Sequence, residues 1–182
     1  MRHLPVVIVL AAGRGERFAA SGGTVHKLQA LLAGKRVLDH VLDAVHGSGL
    51  THHVVCADAT RPGMGDSIAA GIQANPDANG WLILPADLPL VQSQTLRAIA
   101  LAPDCPVTLP LYRGQRGHPV RFAAGCRSEL LNLHGKTGAA NVIRRYESIN
   151  SVACIDVDDA GVVTDIDTLD DLLCAQILLA QR

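Results

Sequence analysis

Apolar residues along this chain fall into two patterns, unbroken runs that suit buried strands and spaced repeats that suit helices. Val6-Val7-Ile8-Val9-Leu10 is unbroken and mostly β-branched, the pattern of a parallel strand covered on both faces. Val37, Leu38, Val41, Leu42 and Val45 repeat at helical spacing and predict a helix that stops at Gly47. A second strand is predicted from His53 to Ala57, then a turn at Pro62-Gly63-Met64-Gly65-Asp66 and a helix from Ser67 to Gln73. Trp81 to Leu84 reads as a third strand, closed by Pro85-Ala86-Asp87-Leu88-Pro89, and Ser93 to Leu101 as a further helix. Such alternation predicts βαβ units and an α/β fold with a mostly parallel sheet.

The second half is less regular. Val107 to Tyr112 and Val120 to Phe122 flank Arg113-Gly114-Gln115-Arg116-Gly117 and predict a β-hairpin excursion. A short helix near Ser128 to Leu133 and another running through Tyr146 flank Gly135-Lys136-Thr137-Gly138. Short strands are expected at Val152 to Val157 and Val162 to Thr164. The final helix begins near Leu169, with Thr168 as N-cap and Asp171 at the capping-box position. No repeat or linker interrupts residues 1–182, so a single domain is expected.

Composition removes several classes of function. Sixteen basic and 17 acidic residues give a net charge of −1, which offers no general attraction to nucleic acid or to an anionic membrane. No apolar run reaches the roughly 20 residues of a membrane span, and Arg2-His3 leads into a run too short for a secretory signal. Cys56, Cys105, Cys126, Cys154 and Cys174 are odd in number and never form CxxC, as expected of reduced thiols in a cytoplasmic protein. Periodicity does not divide apolar segments between core and subunit interface, and so sets no oligomeric state.

Charge is nevertheless uneven. Between Gly13 and Arg36 stand five basic residues and one acid, and between Asp156 and Asp171 seven aspartates and no base. A solvated face accounts for either cluster alone, whereas together they suit a site that meets phosphate and a metal ion. The first strand empties into Ala11-Ala12-Gly13-Arg14-Gly15-Glu16-Arg17-Phe18, a cationic glycine loop followed by His26-Lys27-Leu28. Small residues let backbone amides approach a polyphosphate, and nearby cations neutralise it. The loop is not a P-loop, which requires GxxxxGK[ST]. Nor is it a dinucleotide fingerprint, because Phe18 stands at the third glycine position.

In parallel sheets ligands bind beyond the carboxyl ends of the strands, so Gly13 to Arg17 after the first strand and Asp87 after the third should share one edge. Asp87, fixed between prolines, is either a turn-former or a ligand of magnesium, a hard cation that needs only one or two protein carboxylates. Asp167 is either a second ligand or a charge compensating the last helix. Met64 serves as core filler or as a pocket wall, Trp81 as core. His52-His53 is no metal pair, since adjacent strand residues face opposite ways.

LAAGRGERF with Lys27, GMGDSIAAGI, LPADLPLV, GHPVRF, GKTGAANVI and DIDTLDDL occur in the order seen in the molybdenum cofactor cytidylyltransferase branch of the nucleotidyltransferases, which the chain resembles. The resemblance implies a Rossmann-like, MobA-like three-layer α/β/α fold, a nucleoside triphosphate, Mg²⁺ and a phosphorylated small-molecule acceptor. It implies that Leu10, Ala11, Ala12, Gly13, Arg14, Gly15 and Gly65 meet the nucleotide, that Arg17 and Lys27 meet its phosphates, and that Ser67 lies near the base. It assigns Asp87 and Asp167 to the metal and Gly117 and His118 to the acceptor side, although a His before Pro in a turn is equally a structural residue. The paired alanines resemble those of cytidylyl enzymes more than those of guanylyl relatives, which implies CTP. Lys136 and Ala140 depart from the family's GDxGAR, and the segment from Ala19 to Val25 is longer than usual. The expected activity is CMP transfer from CTP, with molybdopterin or a sugar or polyol phosphate as acceptor. The alternative is a non-catalytic nucleotide-binding module, against which Arg17, Lys27, Asp87 and Asp167 all count.

Overall fold

The computed structural model of the protein describes residues 4–60 and 63–182. Arg2, His3 and Pro62 lie outside the described residues. Strand β1 (Val6–Ala11) lies second from one edge of the main sheet, and β2 (Leu31–Leu32) and β3 (Lys35–Arg36) form a small separate ribbon. Strands β4 (His52–Cys56) and β5 (Gly80–Pro85) flank β1, both parallel to it, with Val9 opposite Val54 on one side and Leu84 on the other.

The unbroken apolar run of β1 has a simple cause. Val7 and Val9 point into a core shared with Val37, Val41 and Val45 of α2 (Val37–Ser48) and with Leu96 and Ile99 of α4 (Ser93–Leu101). Ile8 points the other way, to Ile68 and Ile72 of α3 (Met64–Gln73) and to Trp81. Both faces are dry, as the sequence pattern required, and the architecture is the three-layer α/β/α sandwich.

Strands β6 (Val107–Tyr112), β7 (Gln115–Arg116), β8 (Val120–Ala123) and β9 (Val152–Asp156) complete a seven-stranded sheet. Strand β8 inserts antiparallel between β5 and β6, and β9 pairs parallel with β6. The predicted hairpin arms are thus sheet members. Only β7 folds back directly on β6, through a turn in which Arg113 and Gly114 take positive φ values of 50° and 81°. The remaining helices are α1 (Glu16–Ala20), α5 (Arg127–Leu131), α6 (Ala140–Ser148) and α7 (Leu169–Ala180). Helix α7 starts as the sequence predicts, with Thr168 and Asp171 forming a capping box.

Three local expectations are corrected. Helix α2 continues through Gly47 to Ser48, and Gly49, with φ of 69°, ends it. Gly47 is there for packing, because a Cβ would stand 2.6 Å from Ser93 Oγ at the crossing with α4. Helix α3 starts at Met64, inside the expected turn. Asp66 Oδ2 accepts the Gly63 N–H at 3.1 Å and caps the helix, while Gly65 leaves room for the backbone of His134 and Thr137. Val162 to Thr164 form no strand. Residues Ala160–Val163 make a tight helical turn because Asp159 Oδ1 accepts the Gly161 N–H at 2.9 Å and Gly161 packs on the Leu90 carbonyl.

Trp81 is wholly buried, as expected, whereas Met64 is 54% exposed and is no core filler. All five cysteines are free. Among the described residues no helix is long and apolar enough to cross a membrane.

Candidate active site

Because β1 and β5 are parallel neighbours, the glycine loop after one and Asp87 after the other emerge at the same sheet edge. There they line a cleft of about 790 Å³, toward the upper end of the range for small-molecule sites. Leu10, Ala12, Gly13, Arg14, Gly15 and Arg17 form its first wall, and Lys27, Asp87 and Asp167 its floor. Ser67 enters from the first turn of α3, and Gly117 and His118 from the segment between β7 and β8. Ala11 and Gly65 stand behind this lining. Ala11 is the last β1 residue, paired with Cys56, and Gly65 is packed under the loop at His134 to Thr137.

At the floor, Lys27 Nζ donates to Asp87 Oδ2 at 2.6 Å and to Asp167 Oδ1 at 2.9 Å. Arg17 reaches the other oxygen of Asp167 at 2.6 Å. Lys27 is buried. Desolvation disfavours its charge, but attraction and hydrogen bonding to Asp87 and then Asp167 outweigh this and hold its pKa above the usual lysine value. Asp165 has the opposite balance. Burial pushes its carboxyl above the usual range, and the charges of Asp167, Asp87 and Asp171 push the same way. The floor is therefore crowded with carboxylates and already gathers them around one ammonium.

That ammonium shows where a cation sits well. Asp87 and Asp167 converge on it with hard oxygen donors, which fits Mg²⁺, an ion that takes one or two carboxylates and completes its shell with water and phosphate. Among the described residues no cluster of three or more His, Cys, Asp or Glu side chains forms a cage for a metal on its own. Ligand oxygens would have to complete the shell.

Residues 7–149 match the MobA-like NTP transferase domain. The chain belongs to that family. Its fold is shared across its length with a nucleotidyl transferase from Methanothermobacter, at a TM-score of 0.82, 20% identity and 98% coverage of both chains. Molybdopterin-guanine dinucleotide biosynthesis protein A from Archaeoglobus fulgidus superposes at a TM-score of 0.69 with 19% identity, over 97% of this chain and 100% of that one. Bifunctional protein GlmU from Xanthomonas campestris is 32% identical over 119 residues, 53% of this chain and 25% of the relative. This MobA-like transferase thus spans about a quarter of the length of the curated relatives it matches.

His118 lines the cleft as well. Its backbone N–H donates to the Val162 carbonyl at 2.9 Å, and its Nδ1 is buried without a hydrogen-bond partner among the described residues. Burial lowers its pKa, with the charge of Asp87 and a hydrogen bond to the Ile83 backbone opposing. Residues that the sequence pattern did not single out as site members also line the cleft, Asp165 and Lys136 among them. Asp165 lay within the noted acidic run, and Lys136 within a noted departure. His26 was visible only as the neighbour of Lys27, yet its Nε2 lies 2.7 Å from the Gly13 carbonyl oxygen.

Proposed function

We propose that this transferase moves a nucleoside monophosphate, CMP from CTP, onto a phosphorylated small molecule and releases pyrophosphate. The observation that carries the reading is the convergence of Arg17 and Lys27 with Asp87 and Asp167 beneath a glycine loop at one sheet edge. Two cations next to a backbone loop suit a triphosphate, and two carboxylates beside them suit the metal that accompanies it. Asp87 and Asp167 would hold Mg²⁺, which when bound neutralises charge developing on the transferring phosphoryl group.

The residues of the chain do the positioning. The loop amides and Arg17 hold the triphosphate, and Lys27 stabilises the leaving pyrophosphate. An oxygen of the acceptor phosphate forms a bond to the α-phosphorus, and the bond from that phosphorus to the bridging oxygen breaks, with the electron pair leaving on pyrophosphate. A phosphate monoester is already an anion near neutral pH, so the attacking oxygen needs no general base. Catalysis then rests on alignment and fixed charge. The whole chain of 182 residues acts as one such domain, and its free thiols fit a cytoplasmic setting.

The likeness to a molybdopterin-guanine dinucleotide protein supports a pterin acceptor. A sugar or polyol phosphate is favoured by a different observation: Lys136 lines the cleft where the family carries an acid, and it has no ion-pair partner among the described residues. Pyrophosphate release from CTP, GTP, UTP and ATP with panels of both acceptor types tests the reading. Asp87→Asn should lower turnover by about 100-fold, the order seen when one charge-stabilising group is removed. Near-normal turnover in a folded Asp87→Asn protein refutes the metal role of Asp87.

A further inference from the structure

The glycine loop lacks internal support. Among the described residues, no backbone or side-chain acceptor takes the amides of Gly13, Arg14 or Gly15, and the first helical bond beyond the loop is from Ala19 N–H to the Gly15 carbonyl at 3.0 Å. Free amides suit an anion. An unsupported loop, however, must lose its conformational freedom when the ligand arrives, which weakens binding.

One side chain ties this loop from outside. His26 Nδ1 accepts the Leu28 N–H at 3.3 Å, and His26 Nε2 faces the Gly13 carbonyl oxygen at 2.7 Å. A nitrogen that accepts carries no hydrogen, so Nε2 must carry it and donate to Gly13. One neutral tautomer satisfies both bonds. The ring also flanks Gly15, where a Cβ would meet its edge at 3.4 Å. Since the peptide is planar and trans, drawing the Gly13 carbonyl toward the imidazole turns the Arg14 N–H away from it. The residue after His26 is Lys27, whose ammonium is fixed on Asp87 and Asp167. A single turn therefore sets the loop backbone in register with the charged floor.

We propose that His26 is a positioning residue that holds the glycine loop in its phosphate-receiving shape before the ligand arrives. The proposal rests on the triphosphate reading of the cleft. Its effect falls on binding and leaves the chemical step alone.

Two substitutions separate the tether from the cap. In His26→Asn the amide oxygen stands where Nδ1 stood, keeps the Leu28 N–H, and does not reach Gly13. In His26→Gln the amide nitrogen reaches the position of Nε2 and can donate to Gly13. His26 is exposed, so both variants fold. Two quantities are measured: titration calorimetry with Mg²⁺ and inorganic tripolyphosphate, a probe independent of the base, and hydrogen exchange of residues 12–16 in the ligand-free protein.

His26→Asn should bind the probe about five- to tenfold more weakly, the worth of one net hydrogen bond, and exchange faster in the loop. His26→Gln should recover both, and with CTP the loss should appear in KM with kcat within about twofold. Wild-type affinity and exchange in His26→Asn overturn the proposal, as does equal weakening in both variants, which would make ring packing the cause. If the native protein binds neither tripolyphosphate nor any nucleotide, the triphosphate reading fails instead, and the exchange comparison still decides whether His26 holds the loop.

Discussion

Replacing Lys27 by methionine keeps the length of the side chain and deletes the charge at the centre of the floor. Asp87 and Asp167 then lose the ammonium that stands 2.6 and 2.9 Å away. Removing one partner of a buried ion pair costs about 3–5 kcal/mol. Here the two carboxylates keep 20% and 18% exposure and Asp167 retains Arg17, so about 2 kcal/mol is the appropriate size. In a chain of this length that lowers Tm by roughly 4–8 °C. The folded-state pKa of Lys27 lies above its unfolded value of 10.5, so its stabilising effect is complete below that pH. The gap between native protein and variant should therefore stay constant around neutral pH and close only as pH rises through the folded pKa. Mg²⁺ should also distinguish the two proteins. With the ammonium gone, millimolar Mg²⁺ without nucleotide should restore much of the lost Tm in Lys27→Met and leave the native protein nearly unchanged. Differential scanning calorimetry from pH 7 to 11, with and without Mg²⁺, reads all three quantities. A variant as stable as the native protein and indifferent to Mg²⁺ refutes the idea that Lys27 occupies a cation position.

Two further substitutions address the floor and the core. Asp165→Asn removes a carboxylate whose folded-state pKa is raised by burial and neighbouring aspartates, so the variant should unfold at higher urea than the native protein at pH 7. That advantage should fade as pH falls through the raised pKa and be gone below 3.8, where the carboxyl is protonated in both states; equal midpoints at pH 7 refute it. Gly71→Ala puts a Cβ 2.5 Å from Ile8 Cγ2 and 3.2 Å from Val55 Cγ2, where α3 lies on β1 and β4. Overpacking of about 2 kcal/mol, offset by about 1 kcal/mol of helix propensity, should leave Tm roughly 2–4 °C lower, and an unchanged Tm would mean that α3 does not approach the sheet this closely.

Much of the fold was legible in the chain because its main signals are local. The doubly buried β1, the spacing along α2 and the Thr168 to Asp171 cap follow from side-chain periodicity and from hydrogen bonds within a few residues. The misread elements share another cause. Gly47, Gly65 and Gly161 look like chain breakers in sequence, yet each is glycine because a distant segment packs against it. Ser93, His134 and Leu90 are the respective neighbours, and no local pattern names them.

The same division runs through the site. The sequence by itself determined that a strand ends in a cationic glycine loop, that an aspartate follows another strand, and that aspartates crowd the start of the last helix. Tertiary structure alone decided that Lys27 meets Asp87 and Asp167, partners 60 and 140 residues away, and that His26 turns back to the Gly13 carbonyl. Periodicity records which face of an element is dry. The distances between irregular loops are set by how the strands that carry them are ordered in the sheet, and that order exists only once the chain has folded.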